Sequence, residues 1–314
     1  VCDNGSVALF VQELSALYRA GGDADRADLP ALPIQYRDFA VWQREWLAGE
    51  AIERQLGYWR QHLAGAPREL TLSSAERRST SPGAGGGRID RAMSAADTAA
   101  LHELCRAHDS TVFMVLLASL TSVLGRWSGQ RDVVVGVPIA GRTDAGTRNL
   151  IGLFFNTLPI RLSLSGEPTF AELLARAREA ALGGYGHADV PLDLIVRHVR
   201  PPRIPGRTPL FQVVLNVVDS VRGHTTLGDV TDEPMDAPVM PSKLDFVLTA
   251  KELDGCLHLE LEFDADRYDE ARMRLMVDDV GTLLRAAHAD PGMVVFDDPP
   301  AGPTAPSAAK EIRP

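Results

Sequence analysis

The segment Ile151 to Arg161, IGLFFNTLPIR, places an amide and a hydroxyl, Asn156 and Thr157, inside an apolar run that also carries Gly152. A plain buried strand has no need of that polar pair. The Asn amide brings two donors and an acceptor, costly to leave unpaired in dry surroundings, so Asn156 either caps a turn at a strand edge or stands there for a functional reason. His187 and Asp189 in GHADVPLD are the residue types used for acid–base transfer. Successive side chains at a helix entry seldom converge, however, and Pro191 marks a helix start, so the pair reads as structural. Arg207 precedes a strand and reads either as an electrostatic contributor or as a solvated loop residue. Asp3 and Asn4, by themselves, read as a polar helix-entry turn.

The elements that position these residues follow from apolar periodicity. Ser6 suits the N-cap of a helix whose Val7, Phe10, Val11, Leu14, Leu17 and Tyr18 share one face, ended by Gly21-Gly22. Phe39, Trp42 and Trp46, then Ile52, Leu56, Trp59 and Leu63, keep helical spacing on either side of Gly49. Their rings are expected in the core, while Tyr36, Arg37 and Asp38 either face a channel or, as is more frequent, form a solvated first turn. Residues 73–87, rich in Ser, Gly, Pro and Arg, read as a linker. Beyond them come a strand over 88–93, a helix capped by Ser94, a strongly apolar helix over 111–127 and the interior strand DVVVGVP from Asp132. Strands over 157–164 and 211–218 and helices over 169–182 and 191–199 follow. A hairpin turning on Asp254-Gly255 and an amphipathic helix over 269–289 complete the series. Residues 297–314, rich in Pro and Ala, read as an interdomain linker. This alternation predicts an α/β fold, specifically an α+β two-layer sandwich.

Composition excludes other classes. With 314 residues, 45% hydrophobic and 24% charged, the chain can bury one or two sizeable cores. A net charge of -10 and a pI near 5.3 lack the concentrated Lys and Arg of a nucleic-acid surface. Cys2, Cys105 and Cys256 are odd in number, scattered and outside metal spacing, so reduced thiols in a cytoplasmic setting and no metal are expected. No apolar run reaches membrane-spanning length and no signal peptide is visible, so no membrane partner is expected. Val1 is not a Met, and the chain enters its first helix almost at once, which reads as a fragment.

Four segments in order, YRDFAVWQREW from Tyr36, IGLFFNTLPIR, GHADVPLDLIV from Gly186 and GRTPLFQVVLN from Gly206, resemble the condensation domains of nonribosomal peptide synthetases. The likeness runs from Asp3 to about Pro291. It implies a chloramphenicol acetyltransferase-like fold of two lobes with a tunnel between them. On that mapping 1–72 is the end of the N-terminal lobe with connecting helices, and 88–296 is the C-terminal lobe. The latter would include a floor loop at 137–148 and a latch at 219–240.

The resemblance also implies chemistry: amide formation between a donor acyl thioester and the amine of an acceptor aminoacyl thioester, with no bound cofactor or metal. Both substrates would ride on the phosphopantetheine of donor and acceptor carrier domains, with an adenylation domain adjacent. Asp3 matches the Asp of the family's His-His-x-x-x-Asp-Gly motif, which places the second His two positions upstream of Val1. Asn4 stands where the motif has Gly, and Gly5 follows. Asp3 is expected to fix the backbone through an ion pair with an Arg, with Arg161 the nearest motif candidate and an Arg upstream of Val1 the equal alternative. Asn156, Arg161, Arg207 and Gln212 are the implied substrate-binding residues. Ala188, Leu192 and Asp193 depart from the family's Gln and Phe-Glu. An epimerisation-type domain and a non-catalytic platform recruiting tailoring enzymes are the alternatives. Asn156-Thr157-Leu158 with Arg161 favours condensation; Asn4 favours the platform. Carrier Ser, adenylation and thioesterase motifs are not seen.

Overall fold

The computed structural model describes residues 2–72, 85–142, 144–218, 226–227, 230–231 and 244–296. Three helices open the chain: α1 (Asn4–Arg19), α2 (Tyr36–Leu47) and α3 (Glu50–His62). Then come β1 (Gly86–Ala92), α4 (Ala95–Ala107), α5 (Val112–Ser128), β2 (Asp132–Ile139), β3 (Asn156–Ser163), α6 (Phe170–Tyr185) and α7 (Leu192–Val199). β4 (Val213–Val218), the two-residue strands β5 (Thr226–Leu227) and β6 (Val230–Thr231), β7 (Phe246–Leu253), β8 (Cys256–Asp264) and α8 (Glu270–Ala289) complete it.

Six strands form one mixed sheet in the order β1-β8-β7-β4-β2-β3. Its inner pairs β2-β4 and β4-β7 are parallel and its outer pairs antiparallel. Helices α4, α5, α6 and α8 form the second layer, so the expected two-layer sandwich is what folds. α5 is apolar all round because it lies between the sheet and neighbouring helices. Every residue from Met114 to Gly125 is buried. β7 and β8 alternate, sending Phe246, Leu248, Leu259 and Leu261 into the core and Lys251 and Glu260, 3.1 Å apart, to the other face. The hairpin turns at Asp254 and Gly255, both at positive φ.

Local reasons place the ends. Ser94, Thr111 and Thr169 cap α4, α5 and α6 with their hydroxyls. For α1 the expected cap is corrected: Asp3, not Ser6, accepts the Ser6 N–H at 2.8 Å, and Ser6 lies inside the helix with its side chain buried. Gly86 and Gly87, assigned above to the linker, begin β1, and Val137 to Ile139, assigned to the floor loop, complete β2. The rest of the expected linker up to Ala84, most of the latch and residues 297–314 lie outside the described residues. Ile52, Leu56, Trp59, Leu63, Leu70 and Leu72 join the same hydrophobic core as the sheet and its helices. Residues 50–72 therefore fold against 86–296.

β3 is an edge strand, and His62 at the end of α3 reaches its open side. His62 Nε2 accepts the backbone N–H of Arg161 at 2.9 Å, a donor that would otherwise be left open. Burial first, and then the Arg161 charge, push the His62 pKa down to about 4. Its imidazole is thus the neutral acceptor this bond needs.

Candidate functional site

Three distant segments meet on one guanidinium. Arg142, in the loop after β2, donates to Asp3 Oδ1 at 2.9 Å, to Ser6 Oγ at 2.8 Å and to the carbonyls of Thr147 and Leu150. Its charge sits 4.2 Å from the centroid of the Phe154 ring. Asp3 also accepts the Phe154 N–H at 3.0 Å, and Ser6 Oγ both donates to the Gly152 carbonyl and accepts the Gly152 N–H. The Asp3 and Arg142 side chains are only 8% and 11% exposed. Burial by itself would raise the Asp3 pKa, but Arg142 and the Ser6 and Phe154 amides outweigh it and hold it at about 2. The ion pair expected for Asp3 exists, and its Arg is Arg142. Arg161 is corrected on this point: it donates to Asp132 at 2.9 Å and to the carbonyls of His62 and Ala64 on the edge of the sheet.

The loop 151–155 that receives α1 also receives α2. The Tyr36 ring packs on Gly152, where an added Cβ would come within 2.1 Å of it, and Tyr36 Oη donates to the Leu153 carbonyl. Gly141, at positive φ, lets Phe154 O approach to where its Cβ would stand. These close approaches leave a cavity of about 620 Å³ between α2 and the loops after β2 and α6. Tyr36, Phe39, Trp42, Trp46, Phe154 and Phe155 wall it. Asp38, Asp144, Asp189 and Asn156 are among its polar residues. Of the aromatic residues of α2 expected in the core, Phe39 and Trp42 line this space instead, with Trp42 53% exposed, while Trp46 borders it and also packs half-buried against the core. Of the expected solvated turn, Arg37 fits, while Tyr36 and Asp38 face the cavity.

Asn156 opens β3 with its amide fully committed. Nδ2 donates to the carbonyls of Ala188 and Val190 at 2.9 and 2.8 Å, and Oδ1 accepts the N–H groups of Thr157 and Leu192. It ties the segment before α7 to the sheet edge and borders the cavity. His187 and Asp189 do not converge. His187 stacks on Tyr58, with centroids 4.0 Å apart, and donates to the Gly183 carbonyl, while Asp189 accepts from Gln55. Arg207 is not the solvated residue considered for a loop. Its side chain is 8% exposed and pairs with buried Asp245 at 2.6 Å, with Glu69 at 3.5 Å. Gln212, 2% exposed, accepts the Leu70 N–H and donates to the Thr208 carbonyl. Arg161, Arg207 and Gln212 lie outside the cavity lining, and Asn4 and Gly5 are exposed in the first turn of α1.

Arg142, Ser6, Asp245 and the cavity-lining Phe39 and Trp42 were missed from sequence, whereas Tyr36 and Asp38 take the channel-facing alternative. For α2 a signal exists: its stripe is aromatic, without Leu or Ile until Leu47, and interleaved with Arg and Asp. A core-facing helix carries aliphatic residues there. Arg142 sits in a loop with no periodicity to expose it. Among the described residues no cluster of His, Cys, Asp and Glu could hold a metal, and no single helix is long and apolar enough to cross a membrane.

Comparison with known proteins places this geometry. The model of the family described as Condensation domain matches residues 1–296. A linear gramicidin synthase of Brevibacillus parabrevis is 38% identical over 293 residues, 93% of this chain but 4% of that protein. The X-domain from teicoplanin biosynthesis, solved in complex with OxyB, is 26% identical with a TM-score of 0.81, over 95% of this chain and 68% of that one. The first condensation domain of the calcium-dependent antibiotic synthetase, solved with a substrate analogue, shares the fold at 22% identity and a TM-score of 0.74, covering 94% and 64%.

Proposed function

Because this chain belongs to the condensation-domain family of nonribosomal peptide synthetases, we propose that it serves amide-bond formation between two carrier-bound acyl groups in a cytoplasmic megasynthase. The family is of the acyltransferase type, and its relatives here are peptide antibiotic synthetases. In the proposed step the acceptor's amine nitrogen attacks the donor's thioester carbonyl and forms the C–N bond, the C–S bond breaks, and the amine's proton ends on the departing sulfur, so that the donor's phosphopantetheine arm leaves as its thiol. Positioning two tethered reactants is the main demand of such a step, since it turns a bimolecular reaction into a unimolecular one. The observation that carries the reading is the cavity of about 620 Å³ beside Asn156, held against the Asp3–Arg142 pair by the 151–155 loop. Asp3 supports backbone and touches no substrate in this reading. Residues 88–296 then act as the C-terminal lobe, 1–72 as the end of the N-terminal lobe with its connecting helices, and the loop after β2 as the floor between them.

A second reading is a non-catalytic platform for a tailoring enzyme. The likeness to an X-domain solved in complex with OxyB and Asn4 in the Gly position of the motif favour it. One experiment separates the two: single-turnover assay of the synthetase that contains this chain, with donor and acceptor carriers loaded, scored for the new amide by mass spectrometry. Product that disappears in Arg142→Ala supports condensation. No product from any loaded pair, with normal folding, supports the platform.

A further inference from the structure

The cavity has walls of rings and a rim of one charge. Five rings run in succession, Trp46, Trp42, Phe39, Phe154 and Tyr36, with centroids 4.7 to 6.4 Å apart. The charged lining residues are Asp38, Asp144 and Asp189, and among the described residues no Lys, Arg or His lines the space. Each carboxylate is held in place: Asp38 by the Gln35 N–H, with the solvent-exposed Arg37 guanidinium 3.9 Å from its other oxygen, Asp144 by the Gly146 N–H and Asp189 by the Gln55 amide. An aromatic face attracts a cation, and fixed carboxylates beside low-dielectric walls add to that preference while repelling an anion. One ring of the wall already meets a cation, for the Arg142 guanidinium, itself outside the lining, sits over Phe154. A cavity of this volume has room for more than a methylene chain.

We propose that this cavity selects an acyl group ending in an organic cation, an ammonium or guanidinium, over neutral or acidic groups of equal size. The inference rests on the reading of the chain as one that handles acyl groups, and its test lets the two fail separately. The probes are the pantetheine amides of lysine, norleucine and glutamate, which share the α-amine, differ at the side-chain end and cannot react as thioesters. Their binding to this chain and to the synthetase containing it is measured by calorimetry. Lysyl should bind roughly tenfold tighter than norleucyl, the scale of one desolvated cation–ring contact, and glutamyl should bind weakest. Asp144→Asn with Asp189→Asn, which keeps acceptors for the same donors, should reduce the lysyl affinity to the norleucyl level. The lysyl preference should also shrink with added salt. Norleucyl binding as tight as lysyl, no binding of any probe, or a lysyl preference that survives the double substitution would each overturn the proposal. A lysyl preference in a synthetase that makes no amide removes the activity and leaves the selectivity. Amide formation without the preference does the reverse.

Discussion

At Asn156 the polar atoms turn away from the cavity and into the backbone of 188–192. Asn156→Leu leaves two carbonyls and two N–H groups without this partner, and an orphaned buried group costs about 1–3 kcal/mol. The expected outcome is a loss of at least about 2 kcal/mol in denaturant unfolding together with lower turnover; full stability with lost turnover would instead make the amide a substrate contact. Asp3 belongs to a different balance. Its pKa in the fold, about 2, lies below the ordinary value of 3.8. Its contribution is therefore complete above pH 3.8 and lost as pH falls through about 2. Asp3→Asn removes the charge and leaves Arg142 nearly buried beside a neutral amide. Breaking such a pair costs roughly 3–5 kcal/mol when it is truly buried. The loss should be present at neutral pH and fade in acid, which urea unfolding of both proteins at about pH 7 and about pH 3 would show.

Among the elements, β3 and α3 carry a titration of their own. His62 accepts the Arg161 N–H only while neutral, and its pKa in the fold is about 4 against an ordinary value of 6.5. The unfolded chain binds more protons between those values, so stability is unaffected above pH 6.5 and falls as pH drops toward 4. At one pKa unit per 1.36 kcal/mol the loss is at most about 3 kcal/mol. His62→Gln keeps an acceptor without the titration and should flatten the slope just below pH 6.5; an unchanged slope would place the proton elsewhere. Much of this scale was legible in the chain. The hairpin at Asp254-Gly255, the caps of α4, α5 and α6 and the buried run of α5 each follow from local pattern. What failed were features decided by distant partners. Ser6 looked like a cap because nothing local says that Asp3 faces both it and Arg142. The rings of α2 had helical spacing, and period alone does not distinguish a core from a cavity wall. The Arg207–Asp245 pair joins a loop to a residue ahead of β7, and no spacing rule reaches that far.

For the whole molecule, α1 shows an apolar stripe. Val7, Phe10, Leu14 and Tyr18 are 39–59% exposed, on a chain of net charge -10. Contiguous apolar surface drives self-association. Phe10→Glu should raise the monomer fraction of this chain in light scattering while changing unfolding free energy by less than about 0.5 kcal/mol, as for a surface substitution. A monomer fraction unaffected by Phe10→Glu would mean that this stripe is not what aggregates. The contacts around Arg142 have a further consequence, for time rather than energy. Asp3 to Arg142, Ser6 to Gly152 and Asp3 to Phe154 close loops of 139, 146 and 151 residues, whereas the β7-β8 hairpin closes locally. Closing long loops is entropically expensive before any contact repays it, so the N-terminal helix should join a sheet that has already formed. Ser6→Ala should then leave the refolding limb of a chevron unchanged and steepen the loss of the native state, an unfolding rate several-fold higher. Under brief heat or mechanical load α1 would be the first element to detach, and protease cutting near Gly21-Gly22 should precede any cut in the sheet.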